Sequence, residues 1–268
     1  MTSPIPNSLD SRAAESLLAF WAEAGVDACF DDAPVDRTRL PPPPPRQAAL
    51  KAVASVQAPV ASGDIAAAMA EARRLAAAAD SLEALGEAVA AFEGCGLRTQ
   101  GARQAVFARG NLTAPILAIG EGPGAEEDAR GQPFIGEAGR LLDRMFAAAG
   151  LTDRVFITNT VFWRPPGNRT PTPEEQAVCA PFVERTLVLL RPKAVLLIGA
   201  AAAKSVLRTD DGILKLRGQW REWRLAEGDV SAPALPTLHP AFLLRQPLRK
   251  RQAWSDMLTL SARLEGES

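Results

Sequence analysis

Residues 114–124 read APILAIGEGPG, and this stretch decides the fold. Ile116–Gly120 is an apolar run too short for a helix and closed by a glycine-rich turn, the profile of a strand buried on both faces. Three more runs repeat the pattern: 155–161 (VFITNTV), 194–199 (AVLLIG) and 235–239 (LPTLH). Between them lie helical stretches at 136–149, Pro173–Leu190 and Ala200–Leu207, with a last one over 250–264. Alternating strands and helices predict an α/β fold built on a parallel sheet with crossover helices. The runs close on a glycine, on a histidine or, in 155–161, on the polar Thr158-Asn159-Thr160 just before Val161. Ligands of open parallel sheets bind beyond the carboxyl ends of the strands, so those ends are where chemistry is to be sought.

Upstream the composition differs. Residues 11–24 (SRAAESLLAFWAEA) have helical spacing, and LPPPPP at 40–45 then imposes an extended linker. An Ala-, Glu- and Arg-rich helical stretch is expected over about 64–92, with Ser62 or Asp64 as its cap. The expected organisation is a flexible acidic, Pro-rich arm over 1–50, a helical extension over 51–93, and the main domain over 94–268.

A chain of 268 residues, 47% hydrophobic, can bury one α/β core and still carry such an extension. No 18-residue apolar run occurs, and MTSPIPNSLDSR lacks the order of a secretory signal, so a cytoplasmic protein without membrane association is expected. Cys29, Cys95 and Cys179 are too few and too irregularly spaced for a disulfide framework. The net charge of −1 hides an asymmetry. Residues 1–94 hold 7 Lys/Arg against 13 Asp/Glu, and residues 95–268 hold 23 against 18. Over 215–251 there are 8 basic and 3 acidic residues, enough for a phosphate-facing stripe or simply for a solvated surface.

Several residues could carry chemistry. The turn GEGPG at 120–124 can bring backbone N–H groups close to an anion or a water, or serve only as a tight turn. It matches neither the dinucleotide spacing nor the P-loop. Glu126, Glu127 and Asp128 share a connection with Phe134, which is either a stacking platform or a loop residue folded onto the core. Asn159 stands at a strand end, where its amide can read a nucleobase edge or cap the next loop. The loop WRPPGNRTPTP at 163–173 is too long for a mere connector and offers Arg164 and Arg169 to phosphate. His239 is the sole histidine and ends the fourth run; without a second His or a paired Cys a metal site is not expected. Leu243 and Leu244, followed by Arg245, read as a wedge into a base stack or as core.

Four blocks then combine. GEGPGAEEDARGQPFIGEAGRLLDRM (120–145), ITNTVFWRPPGNRTPTPEEQAVC (157–179), RPKAVLLIGAAAAKSVL (191–207) and LHPAFLLRQPLRKRQAW (238–254) resemble family 4 uracil-DNA glycosylases in order and spacing. The resemblance runs from about 94 to 260. It implies a three-layer α/β/α sandwich with a central four-stranded parallel sheet and a uracil pocket at the carboxyl ends of its strands. The substrate it implies is uracil-containing DNA, single or double stranded, and the chain is expected to act as a monomer.

In that resemblance a flipped uracil stacks on Phe134, is read by Asn159 and meets His239 at O2. Glu121 and the 120–124 backbone hold the attacking water, and Gly122 counts among the uracil-binding residues. Glu127 lies near uracil C5, where a thymine methyl would clash. In the better-known relatives an Asp occupies the place of Gly122, which leaves the general base open. The family's four cluster cysteines map onto Phe92, Cys95, Trp163 and Cys179, and two thiolates cannot hold a four-iron cluster, so no cofactor is expected. Two other classes compete: a catalytically weak damage-binding module that retains the pocket, and an unrelated nucleotide hydrolase. Relatives that trap the sugar through an extra histidine are excluded, because His239 stands alone.

Overall fold

Six strands form one sheet in the order β1-β3-β2-β4-β6-β5. They are β1 Ala108–Gly110, β2 Ile116–Gly120, β3 Val155–Asn159, β4 Ala194–Ile198, β5 Arg221–Arg224 and β6 Ser231–Thr237. The computed structural model describes residues 62–225 and 230–266, all within the unit Ala58–Ser268. The expected arm over 1–50 lies outside the described residues.

The four runs read from the sequence are β2, β3, β4 and β6, and they pair in parallel. Every residue of β2, β3 and β4 is buried, which is why these strands appear as mainly apolar runs. The sheet has two strands more than expected. Both pair antiparallel at its edges, β1 against β3 and β5 against β6. Edge position explains their absence from the pattern: β5 reads REWR with only Trp223 buried, and β1 is three residues with none buried.

Helices α3 (Ala125–Arg130), α4 (Glu137–Ala148), α5 (Pro173–Leu190), α6 (Ala200–Leu207), α7 (Ile213–Leu216), α8 (Pro240–Arg245) and α9 (Lys250–Gly266) complete the fold. One hydrophobic cluster, with Leu142, Phe146, Met257 and Leu260 against Ile116, Ala118 and Ile198, lies on one sheet face. The other, with Phe182 and Leu187 against Leu117, Ile119 and Leu197, lies on the opposite face. Two cores around one sheet make the three layers.

The expected helix over 64–92 is two helices, α1 (Ser62–Ala78) and α2 (Leu82–Ala91). Ser81 breaks it, because its hydroxyl accepts from Ala84 N at 3.1 Å and caps α2. Arg185 of α5 donates to the Ala79 carbonyl through Nε at 3.0 Å and Nη2 at 2.6 Å, satisfying an end that the helix cannot. Ala72, Leu85, Val89 and Phe92 share the cluster of Phe182 and Val183 on α5. Under the sheet, buried Asp256 of α9 accepts from Thr237 Oγ1 at 2.8 Å and pairs with Arg217. Burial raises its pKa against the pull of these two donors.

Candidate active site

Parallel register places Gly120 opposite Asn159 at the carboxyl edge of the sheet. The close approach there requires glycine: a Cβ on Gly120 would overlap the Phe134 ring and lie 2.5 Å from Asn159 Oδ1. The turn after β2, the amide at the end of β3 and the aromatic of the following loop therefore meet at one point. Asn159 is 1% exposed, and its Oδ1 has no hydrogen-bond partner among the described residues. An unpaired buried acceptor costs roughly 1–3 kcal/mol, so the fold carries it at a cost.

Phe134 is buried at 6% exposure and holds φ = 55°, the left-handed region that a bulky residue seldom occupies. The loop around it is tied down. Glu127 accepts from Gly124 N at 3.2 Å, Ile135 N at 3.0 Å and Gly136 N at 2.9 Å, joining the glycine turn to the Phe134 loop through one carboxylate. Gly139 of α4 sits against the Phe134 carbonyl, where any Cβ would overlap it. Arg109 of β1 reaches the same loop, donating through Nε to the Pro133 carbonyl at 2.8 Å and through Nη2 to the Phe134 carbonyl at 3.0 Å. Sequence reading missed Arg109 and the three bonds of Glu127.

His239 caps α8, its Nδ1 accepting from Ala241 N at 3.1 Å. With Nδ1 used as acceptor, the proton of the neutral ring sits on Nε2. Burial lowers its pKa from 6.5 to about 4; Arg245 adds to this and Glu127 opposes it. At neutral pH the side chain is an uncharged imidazole with an N–H donor. Its ring centroid lies 5.7 Å from that of Phe134. A cavity of about 500 Å³ opens here, walled by Glu121, Gly122, Glu127, Phe134, Arg169 and His239.

The candidate DNA contacts separate. Arg169 borders the cavity, with its guanidinium on Glu175 at 2.6 Å and on the Thr170 carbonyl at 3.1 Å. Arg164 donates through Nε to Asn168 Oδ1 at 2.7 Å, and Arg245 also borders the cavity. Leu243, expected together with Leu244 as a wedge, is 1% exposed and packs with Leu141, Leu238 and Ala253. That corrects its assignment: α8 turns Leu243 onto α4, and a side chain in the core is not free to enter a base stack. Leu244 is half-buried. Leu248, between Pro247 and Arg249, is 95% exposed and was not singled out from the sequence.

The model of the Uracil DNA glycosylase superfamily matches residues 107–258. Among curated relatives, the type-4 uracil-DNA glycosylase of Thermotoga maritima is 41% identical over 145 residues, 52% of this chain and 71% of the relative. That of Sulfurisphaera tokodaii is 38% identical over 178 residues, 64% of this chain and 80% of the relative. That of Pyrobaculum aerophilum is 34% identical over 160 residues, 58% and 81% respectively. The chain belongs to the uracil-DNA glycosylase superfamily.

Against the four-cysteine cluster that resemblance to the family 4 glycosylases implies, this superfamily member shows a different filling. Cys95 and Cys179 are buried with their sulfurs 3.9 Å apart, Cys179 donating to Cys95. That hydrogen bond lowers the Cys95 pKa and, with burial, pushes Cys179 well above the usual thiol range. The other two corners are rings. Phe92 and Trp163, both nearly fully buried, stand 6.3 Å apart between centroids, with Phe182 5.3 Å from Phe92 and Phe162 6.2 Å from Trp163. Carbon rings supply no ligand, and a four-iron cluster of the usual kind takes four thiolates. Among the described residues, the four at these positions do not fit it. Among the described residues no group of three or more His, Cys, Asp or Glu side chains could hold a metal ion, and no helix is long and apolar enough to cross a membrane.

Proposed function

We infer that this chain is a uracil-DNA glycosylase, a base-excision repair hydrolase that breaks the bond between uracil N1 and deoxyribose C1′ and leaves an abasic site. The observation that carries the reading is the pairing of two complementary groups around Phe134: a buried amide oxygen with no partner among the described residues, and a neutral imidazole whose free nitrogen is a donor.

Uracil has an edge that answers this pair. Its N3–H donates to Asn159 Oδ1, the Asn159 amide N–H donates to O4, and the ring stacks on Phe134. As the glycosidic bond breaks, negative charge develops on the uracil. His239 Nε2–H donates to O2, where that charge gathers, and a donor placed in advance stabilises the transition state more than the ground state. A neutral histidine suits this role, since it donates a hydrogen bond without handing over its proton. Glu121, on the cavity wall next to the glycine turn, is positioned to hold the water whose oxygen adds to C1′ as uracil leaves and takes up a proton. Glu127, fixed by three backbone donors, makes that wall rigid and limits space beside the uracil ring.

Arg164, Arg169 and Arg245 are the candidates for backbone phosphates, with Arg169 exchanging Glu175 for phosphate when DNA arrives. Leu244 and Leu248 are the apolar side chains left to support an opened base stack. The protein acts without a cluster, because the aromatic pair fills its volume.

Purified protein mixed with a uracil-containing oligonucleotide and a metal chelator should yield alkali-cleavable abasic sites, and a thymine-containing control should stay intact. Cleavage that appears only after a divalent metal is added contradicts the reading. The same preparation should be colourless, and about four irons per chain would overturn the cluster-free account.

A further inference from the structure

Phe134 is the strained member of the pocket, and a left-handed backbone persists only where its surroundings over-determine it. The carbonyls of Pro133 and Phe134 face one guanidinium, that of Arg109, at 2.8 and 3.0 Å. Arg109 comes from outside the pocket. It lies on β1, the antiparallel edge strand, in register with Ile157 of β3. Its Nη2 also pairs with Asp143 on α4 at 2.6 Å, so the guanidinium is fixed from the helix side while it grips the loop. A planar fork with several fixed donors can hold two consecutive carbonyls and a carboxylate at once; an ammonium cannot reproduce that geometry.

We propose that Arg109 is a positioning residue for uracil: by holding the Pro133 and Phe134 carbonyls it fixes the Phe134 ring in the orientation against which the flipped base stacks. This rests on the reading of Phe134 as the stacking surface. Arg109 touches neither base nor sugar, and its effect passes entirely through the Phe134 backbone. Loss of the fork frees that loop to leave its strained conformation, and the stacking face is then present in only part of the population, which weakens apparent binding by that fraction.

The test is a double-mutant cycle with two readouts, single-turnover excision from a uracil-containing duplex and inhibition by free uracil. Arg109→Ala should slow excision and raise the uracil inhibition constant, each by about tenfold, the scale of a lost hydrogen bond to a charged group. Arg109→Lys should not rescue it. Asp143→Asn, which spares both carbonyl bonds, should stay near the parent. In a Phe134→Ala background, Arg109→Ala should change neither readout further, because coupled residues are not additive. Melting curves of each variant give the folded fraction by which the rates are normalised.

Equal losses from Arg109→Ala with and without Phe134 would show that it acts by another route and overturn the proposal. So would a parental uracil inhibition constant in folded Arg109→Ala. If Phe134→Ala itself excises at the parent rate, the stacking assignment fails, and the proposal falls with it; if only Arg109→Ala is silent, the stacking assignment stands and Arg109 alone is withdrawn.

Discussion

Two ends of this molecule treat their side chains in opposite ways. At the carboxyl edge of the sheet, Asn159 keeps a buried oxygen unpaired among the described residues, Phe134 holds a left-handed backbone and His239 has its pKa pulled down to about 4. Under α5, where the family resemblance expects cluster ligands, Phe92, Trp163, Phe162 and Phe182 pack edge to face or tilted around two thiols. The first end stores cost in groups that await a partner. The second has none to offer and contributes burial. Local violation of packing rules marks the place where a ligand completes the structure, whereas full satisfaction marks scaffolding.

The largest effect should come from the scaffold end and should be confined to stability. Phe92 is 1% exposed and touches both Trp163 and Phe182, so Phe92→Ala should cost about 3–5 kcal/mol. Excision per folded molecule should stay at the parent value. Denaturant melts with parallel single-turnover assays decide it: a variant that remains as stable as the parent but stops excising uracil would abolish the distinction between the ends.

His239→Ala makes the converse case. Removing a donor aimed at developing charge should slow single-turnover excision by about 10²-fold or more. Stability should fall only by about 1 kcal/mol, for the lost bond to Ala241 N. Early melting with parental excision would move His239 to the scaffold. Asn159→Asp should follow with a loss of about 10- to 100-fold, since a carboxylate lacks the amide donor and places negative charge beside the leaving uracil. Retention of the parent rate in this variant would remove the amide from the recognition of uracil.

The sequence was legible where burial is two-sided. β2 and β4 are apolar throughout, and β3 is apolar up to Ile157, because both faces are covered, and such runs show where each strand stops. His239 stands out because it closes one of the four runs, Asn159 because it lies in the polar end of another, and Phe134 because it falls in the connection after β2. β1 and β5 were not legible, because an edge strand buries one residue or none and leaves no run to see. Leu243 and Leu244 look alike in sequence; only the phase of α8 against α4 buries the first fully and leaves the second half-buried against the same cluster. The bonds of Arg109 span 24 and 25 residues and end on backbone carbonyls, which carry no side-chain signature. Glu127 is the intermediate case, since its carboxylate was noticed while its three backbone donors were not.

The smallest expected effect is in pH, and it sharpens the comparison because only the pocket end holds a histidine. In the fold His239 titrates near 4 instead of 6.5, so the folded state favours the neutral ring. Its contribution to stability is therefore fully present above pH 6.5 and is lost as pH falls from 6.5 through about 4, where protonation takes the Nδ1 lone pair from Ala241 N. Melting temperature should drop over that window more in the parent than in His239→Gln, whose amide does not titrate in either state. Excision should follow the folded pKa rather than the free one. The histidine is already neutral at about pH 6 in the pocket, so the rate should be flat between about pH 8 and 5 as far as His239 governs it, with its acid limb near 4. An acid limb centred at 6.5, the ordinary histidine value, that vanishes in His239→Gln would mean that the ring is solvated in the working enzyme. The neutral Nε2 donor would still be the working form, and only the lowering of its pKa by burial would be withdrawn.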